Sequence, residues 1–127
     1  MVAADLGTGT GMIIAGLVYI GALHCIGVEL DEKYIRVAEK QLEDKLEGGS
    51  FELINADATT LKLRGKQIDL VVMNPPFGTK EEGVDTKFLE LAMEICNGPI
   101  YSMHKSSTRP YLRKLADHKG YSFELVM

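Results

Sequence analysis

Short apolar runs rich in β-branched residues alternate along this chain with stretches whose apolar positions recur every three or four residues. The runs at 1–6, 24–30, 51–56, 68–73 and 100–103 are too short for ordinary helices and read as buried strands, and 121–127 begins a sixth. Between them lie helical patterns. Residues 12–23 form an apolar run interrupted by Gly16 and Gly21, predicted as a buried helix. Asp31 opens a helix to about Leu46, with Ile35, Ala38, Leu42 and Leu46 on one face and Gly48-Gly49 at its end. Asp85 is the predicted N-cap of a helix through Cys96, striped by Phe88, Leu89, Ala92, Met93 and Cys96 and broken by Asn97-Gly98-Pro99. Ser107 or Thr108 caps a last helix, with Pro110 in its first turn and Gly120 at its C-terminal stop.

Strand–helix alternation predicts an α/β fold, a Rossmann-like doubly wound parallel sheet with helices on both faces. Ligands of such sheets bind beyond the carboxyl ends of the strands, where strand order reverses. Polar groups cluster at four of those ends. Asp5 closes the first strand and precedes Gly7-Thr8-Gly9-Thr10-Gly11, a turn in which glycine lets backbone approach a ligand. The spacing G-x-G-x-G lacks the extra residue of the dinucleotide fingerprint, so no pyrophosphate need be bound. Glu29 closes the second strand, placed to accept both hydroxyls of a ribose and to repel a 2′-phosphate. Asp57, followed by Ala58, closes the third and suits an exocyclic amino group.

The fourth end is Asn74-Pro75-Pro76-Phe77. Neither proline can donate to a ladder, so the sheet stops there, and both fix φ. The turn offers a neutral amide, a backbone carbonyl and an aromatic ring. Asn74 Oδ1 and the Pro75 carbonyl can accept the two N–H bonds of an exocyclic amine while Phe77 stacks on the ring that bears it. The plainer alternative is a proline turn at a strand end with Phe77 in the core.

Composition changes this picture little. The 127 residues have 46% hydrophobic and 25% charged content, ordinary for a globular domain. Cys25 and Cys96 show neither metal-ligand spacing nor a disulfide framework; they suit a reducing compartment, cytoplasmic or also nuclear, and no metal site is expected. The apolar run at 12–23 is too short to span a bilayer, so no membrane partner is expected. Charge is uneven. Residues 1–100 carry 9 basic and 16 acidic side chains, a net of −7, whereas 101–127 carry 5 and 2, a net of +3. His104, Lys105 and Arg109 in that basic tail are candidate RNA contacts, with a solvated helix face as the alternative. His24 and His118 read as structural, and Asp69 as satisfied by neighbouring backbone.

Asp5-x-Gly7-x-Gly9-x-Gly11, Glu29, Asp57 and Asn74-Pro75-Pro76-Phe77, in this order, resemble class I S-adenosylmethionine-dependent methyltransferases acting on exocyclic amines. The Asn-Pro-Pro-Phe form is similar to that of adenine-N6 enzymes. The stretches 73–80 and 101–108 look like the methyltransferase-like family that modifies an adenosine of small-subunit ribosomal RNA, with archaeal relatives. The resemblance implies strand order 3-2-1-4-5 and S-adenosyl-L-methionine as cofactor, lined by Asp5, Gly7, Thr8, Gly9, Gly11, Glu29, Asp57, Ala58 and Asn74. It implies that Asn74, Pro75, Pro76 and Phe77 hold the adenine, with RNA as partner and, in eukaryotic members, a small zinc-binding activator protein. It also implies one methyltransferase domain over 1–127, incomplete at both ends: an upstream helical segment absent, the sixth strand partial and the seventh missing. An NAD(P)-dependent oxidoreductase gives no role to Asn-Pro-Pro-Phe. A protein or small-molecule amine methyltransferase and a non-catalytic binding fragment remain as alternatives.

Overall fold

In a computed structural model, which describes residues 1–45, 50–62, 67–75 and 83–125, five parallel strands form one sheet. Strand β1 (Val2–Leu6) is central and is followed by helix α1 (Met12–Tyr19), β2 (His24–Glu29), α2 (Glu32–Lys45) and β3 (Ser50–Asn55). The second half comprises β4 (Leu70–Met73), α3 (Val84–Ile95), β5 (Ile100–Ser102), a 3₁₀ turn (Ser106–Thr108) and α4 (Arg109–Lys119). The order is β3-β2-β1-β4-β5, as expected. β1 is flanked by β2, with Asp5 opposite Gly27, and by β4, with Ala4 opposite Val71. Strand order therefore reverses at β1, which opens a crevice beyond its carboxyl end.

Side chains alternate across the sheet and feed two cores. Ala3 and Cys25 join Ile14, Leu17 and Leu42 beneath α1 and α2. Ala4, Leu6, Val28, Val71 and Met73 join Phe88, Ala92, Ile95, Leu112 and Leu115 beneath α3 and α4. The helices thus cover both faces. Cys25 and Cys96 are fully buried, one in each core. Asp69 lies just before β4, and its carboxylate accepts a hydrogen bond from the Val2 amide at 2.8 Å, closing the start of β1.

Four boundaries differ from expectation. The apolar run at 12–23 is not a buried helix throughout: α1 stops at Tyr19, and Met12, Tyr19, Ile20 and Leu23 are exposed, because within the helix only Ile14 and Leu17 are fully buried, with Ile13, Ala15 and Val18 partly so. Asp85 is not the cap of α3. Gly83, at φ 80°, holds that position, and Asp85 turns its side chain inward. Ile68 does not extend β4; it makes an isolated bridge to Cys96. Residues 121–125 are not a sixth strand. The Tyr121 hydroxyl donates to the carbonyls of Met93 and Cys96, and Arg113 stacks 4.8 Å from the centre of the Phe123 ring, so the segment is tied to α3 and α4 rather than to the β5 edge. Leu46, Gly48-Gly49, Pro76 and Phe77 lie outside the described residues. No described helix is long and apolar enough to cross a membrane.

Candidate active site at the strand ends

The turn after β1 is held by one carbonyl. Gly7 and Thr8 both donate their amides to Val28 O, at 2.7 and 3.0 Å. Gly7, Gly9 and Gly11 all have positive φ, which side-chain-bearing residues rarely adopt. Their free faces are used differently. A Cβ on Gly7 would press on Phe88 of α3 at 3.0 Å, and one on Gly11 would meet Ala38 and Leu42 of α2 at 3.2–3.3 Å. Those two glycines let helices approach. Only Gly9 of the three faces open space, with no described atom within 4 Å of where its Cβ would stand. Gly11, expected among the cofactor residues, therefore serves packing with the face that a side chain would occupy.

Glu29 sits at the end of β2 with both oxygens engaged. Oε1 accepts from the Gly9 amide at 2.8 Å and Oε2 from the Asp31 amide at 2.9 Å. The carboxylate thus pins the open part of the glycine turn to β2. Each oxygen keeps a lone pair, enough for two hydroxyls. Asn55 supports the same strand end by donating to the carbonyls of Glu29 and Leu30. At the end of β3, Asp57 Oδ1 accepts from both the amide and the hydroxyl of Thr59. Those two bonds hold its carboxyl below the usual range, slight burial opposes them, and Lys87 assists. Ala58 turns its methyl into the core beneath α3.

Asp5 differs from both other acids. It is 1% exposed, and neither of its oxygens has a hydrogen-bond partner; the buried hydroxyl of Thr8 has none either. Burial pushes the Asp5 carboxyl up to about 7; the nearby Thr8 hydroxyl draws it down without reaching full hydrogen-bond geometry, and the Glu29 charge adds to the rise. Buried polar atoms left unpaired cost stability unless a ligand completes them. The crevice therefore offers an unpaired carboxyl–hydroxyl pair, an open glycine face, a carboxylate with spare lone pairs and an ionised acceptor at Asp57. That set fits the amino group, the hydroxyls and the base of an adenosyl amino acid.

On the far side of β1, Asn74 follows β4 exposed and Pro75 is buried. Pro76 and Phe77, the expected aromatic half of the substrate turn, lie outside the described residues. The RNA expectation for His104 is corrected. Its side chain is 6% exposed, its Nδ1 stands 2.8 Å from Asp85 Oδ2, and its Nε2 stands 2.6 Å from Ser102 Oγ. Both ring nitrogens are engaged inside the protein. Lys105 and Arg109, together with Ser102 and His104, line a groove of about 990 Å³ between the ends of β4 and β5, α4 and residues 121–125; Asp5, Glu29 and Asp57 do not line it. The Asp85–His104 pair spans 19 residues and is not visible in the pattern, which offers the acid as a helix cap and the histidine as an RNA contact.

A glycine turn and acids at successive ends of a parallel 3-2-1-4-5 sheet define a class I methyltransferase fold. The chain belongs to the methyltransferase domain family, which matches it over residues 3–97. It is similar to the zebrafish (Danio rerio) rRNA N6-adenosine-methyltransferase METTL5, 34% identical over 97% of this chain and 60% of the relative. The corresponding Drosophila melanogaster enzyme is 40% identical over 88% of this chain and 54% of its own length. The chain thus spans three-fifths or less of these two relatives. A solved Pyrococcus horikoshii structure, assigned as an RNA methyltransferase, superposes with a TM-score of 0.80 at 34% identity, covering 94% of this chain and 57% of that one. S-adenosylmethionine is the cofactor that the class and the crevice together specify.

Proposed function

We propose that this chain carries the catalytic half-sites of an RNA adenine-N6 methyltransferase acting on small-subunit ribosomal RNA. The supporting observation is that Asn74 and Pro75 stand at the end of β4, directly beside the β1 turn whose Asp5 and Thr8 are unpartnered. The rRNA N6-adenosine activity named for the zebrafish and fly relatives supports an adenosine of ribosomal RNA as the substrate. When bound, S-adenosylmethionine supplies an electrophilic methyl group. Asp5, Thr8 and Gly9 would hold its amino-acid end, Glu29 its ribose and Asp57 its base.

The chain's own work is orientation. An adenine amine is a poor nucleophile because its lone pair is delocalised into the ring. Asn74 Oδ1 and the Pro75 carbonyl, accepting its two N–H bonds, favour a more tetrahedral nitrogen and aim the lone pair along one direction. No strong general base is needed, since the amine proton passes to water once the nitrogen is alkylated. The target adenosine must leave its stack, which favours a loop or junction. For a eukaryotic source a small zinc-binding activator protein, and in any source a cytoplasmic or nuclear setting that keeps Cys25 and Cys96 reduced, complete the proposal. The test is transfer of labelled methyl to small-subunit rRNA followed by nucleoside analysis. N6-methyladenosine is expected. Cofactor binding without transfer, alone or with the activator, would reduce the chain to a binding fragment.

A further inference from the structure

Asp85, His104 and Ser102 form a polar chain, buried at Asp85 and half-buried at Ser102, that neither the family's motifs nor the proposed chemistry uses. Asp85 is on the first turn of α3, Ser102 ends β5, and His104 lies two residues beyond. Asp85 is 3% exposed, and the two side chains of its pair with His104 are 5–6% exposed. An ionised carboxylate can only accept, so Nδ1 carries the proton that faces Asp85, and the Ser102 hydroxyl serves Nε2.

What this chain joins matters. Ser102 pairs with Met73 in the sheet, and the Met103 amide donates to Met73 O at 3.3 Å, so the end of β5 is fixed to the residue just before Asn74. The same α3 that carries Asp85 presses Phe88 under Gly7 and brings the Lys87 charge toward Asp57. Helix α3 therefore touches the cofactor side through Phe88 and Lys87, and the substrate side through Asp85. We infer that Ser102, His104 and Asp85 are positioning residues: they lock the first turn of α3 to the end of β5 and so set Asn74 and Pro75 in register with the glycine turn. This inference rests on the methyl-transfer reading for its kinetic consequence, but not for its structural one.

Two substitutions at one position separate positioning from mere filling. The amide of Asn occupies the place of Nδ1, and that of Gln the place of Nε2. His104→Asn keeps a donor for Asp85, whereas His104→Gln keeps only the Ser102 contact. His104→Gln should lower kcat by roughly ten- to hundredfold, the scale of a misplacement near 1 Å, with the cofactor Kd and the RNA KM within threefold. His104→Asn should restore kcat to within about threefold of the parent, and Asp85→Ala combined with His104→Gln should be no worse than either alone. In the cofactor-free protein, His104→Gln should speed hydrogen exchange at the amides of Lys87 and Met103, which bond to Gly83 O and Met73 O, while the β1 amides stay protected. If the parent transfers no methyl to RNA, the functional reading fails, and the exchange pattern still decides the positioning. Equal kcat for the Gln and Asn variants, a uniform rise in exchange, or labelling of Ser102 by a fluorophosphonate would overturn it.

Discussion

The two sides of the crevice are built by opposite means. On the β1–β3 side, acids grip nearby backbone: Glu29 holds the amides of Gly9 and Asp31, and Asp57 folds back on Thr59. The framework there is set before any ligand arrives, and what is left unpaired, Asp5 and Thr8, is buried. On the β4–β5 side, Asn74 is exposed, and its support comes indirectly, through a buried histidine linking α3 to β5. One half-site is preformed and waiting for charge or hydrogen bonds; the other is a presented group on a braced strand end. Binding and transfer should therefore be separable by mutation.

The largest separation is expected at Asn74. Asn74→Ala should reduce methyl transfer at least 100-fold, in line with the loss of a preorganised acceptor, while the cofactor Kd stays within a few-fold. Calorimetry beside the transfer assay checks both. Cofactor affinity falling in step with activity would place Asn74 in the architecture of the crevice and erase the contrast between its sides.

Asp5 gives the next effect, one of pH. Its carboxyl is raised to about 7 from 3.8, so between those values the folded chain binds a proton that the unfolded chain has lost. The contribution of Asp5 to stability is then largest below about pH 4 and is lost as pH rises to about 7, by at most roughly 4 kcal/mol at 1.4 kcal/mol per pKa unit. Asp5→Asn should flatten that slope in the cofactor-free chain. Denaturant midpoints at pH 4.5 and 7.5, for parent and variant, measure it; parallel curves would mean that Asp5 is ionised in the fold.

How much was legible follows from the range of each interaction. The strand–helix alternation, the glycine turn and the four strand-end groups follow from local patterns, because apolar period and turn chemistry act over a few residues, whereas the order 3-2-1-4-5 comes from the family resemblance. The Asp85–His104 pair escapes such patterns for the same reason. An acid at a helix start reads as a cap and a histidine in a basic tail reads as surface, and only the 19-residue pairing shows that each satisfies the other. The end of α1 is not legible because apolar composition does not say which face meets a sheet; Tyr19, Ile20 and Leu23 are apolar yet exposed. Residues 121–125 have strand-like composition, but the Tyr121 hydroxyl and the Phe123 ring find partners on helices.

Glu29 tests the preformed side. Glu29→Ala should weaken the cofactor by about 1.5–3 kcal/mol, the scale of a lost hydrogen bond to a charged group. Because the same carboxylate holds the Gly9 amide, Glu29→Gln should retain about half of that loss: Oε1 can still accept from Gly9, whereas the amide nitrogen cannot accept from Asp31. Calorimetric titration of both variants checks the order. Equal affinity for parent and Ala would move the ribose contact to Asp31.

The smallest effect belongs to the basic groove. Lys105 and Arg109 line it together on an otherwise acidic protein, 2 of the 5 cations in a tail of net +3. If they meet RNA, they meet phosphates, since a cationic side chain pairs with phosphate oxygens while the acceptors for a base amine are Asn74 and Pro75. Phosphate contacts release counterions, so each contributes to the slope of log K against log salt and little to sequence preference. Replacing both with Ala should lower that slope by at most about two, leave the methylated site unchanged, and leave cofactor affinity untouched because Asp5, Glu29 and Asp57 do not line the groove. Binding titrations from 50 to 300 mM salt would show it. A slope equal to the parent's would make the groove a solvated face and leave RNA contact to the residues around Asn74.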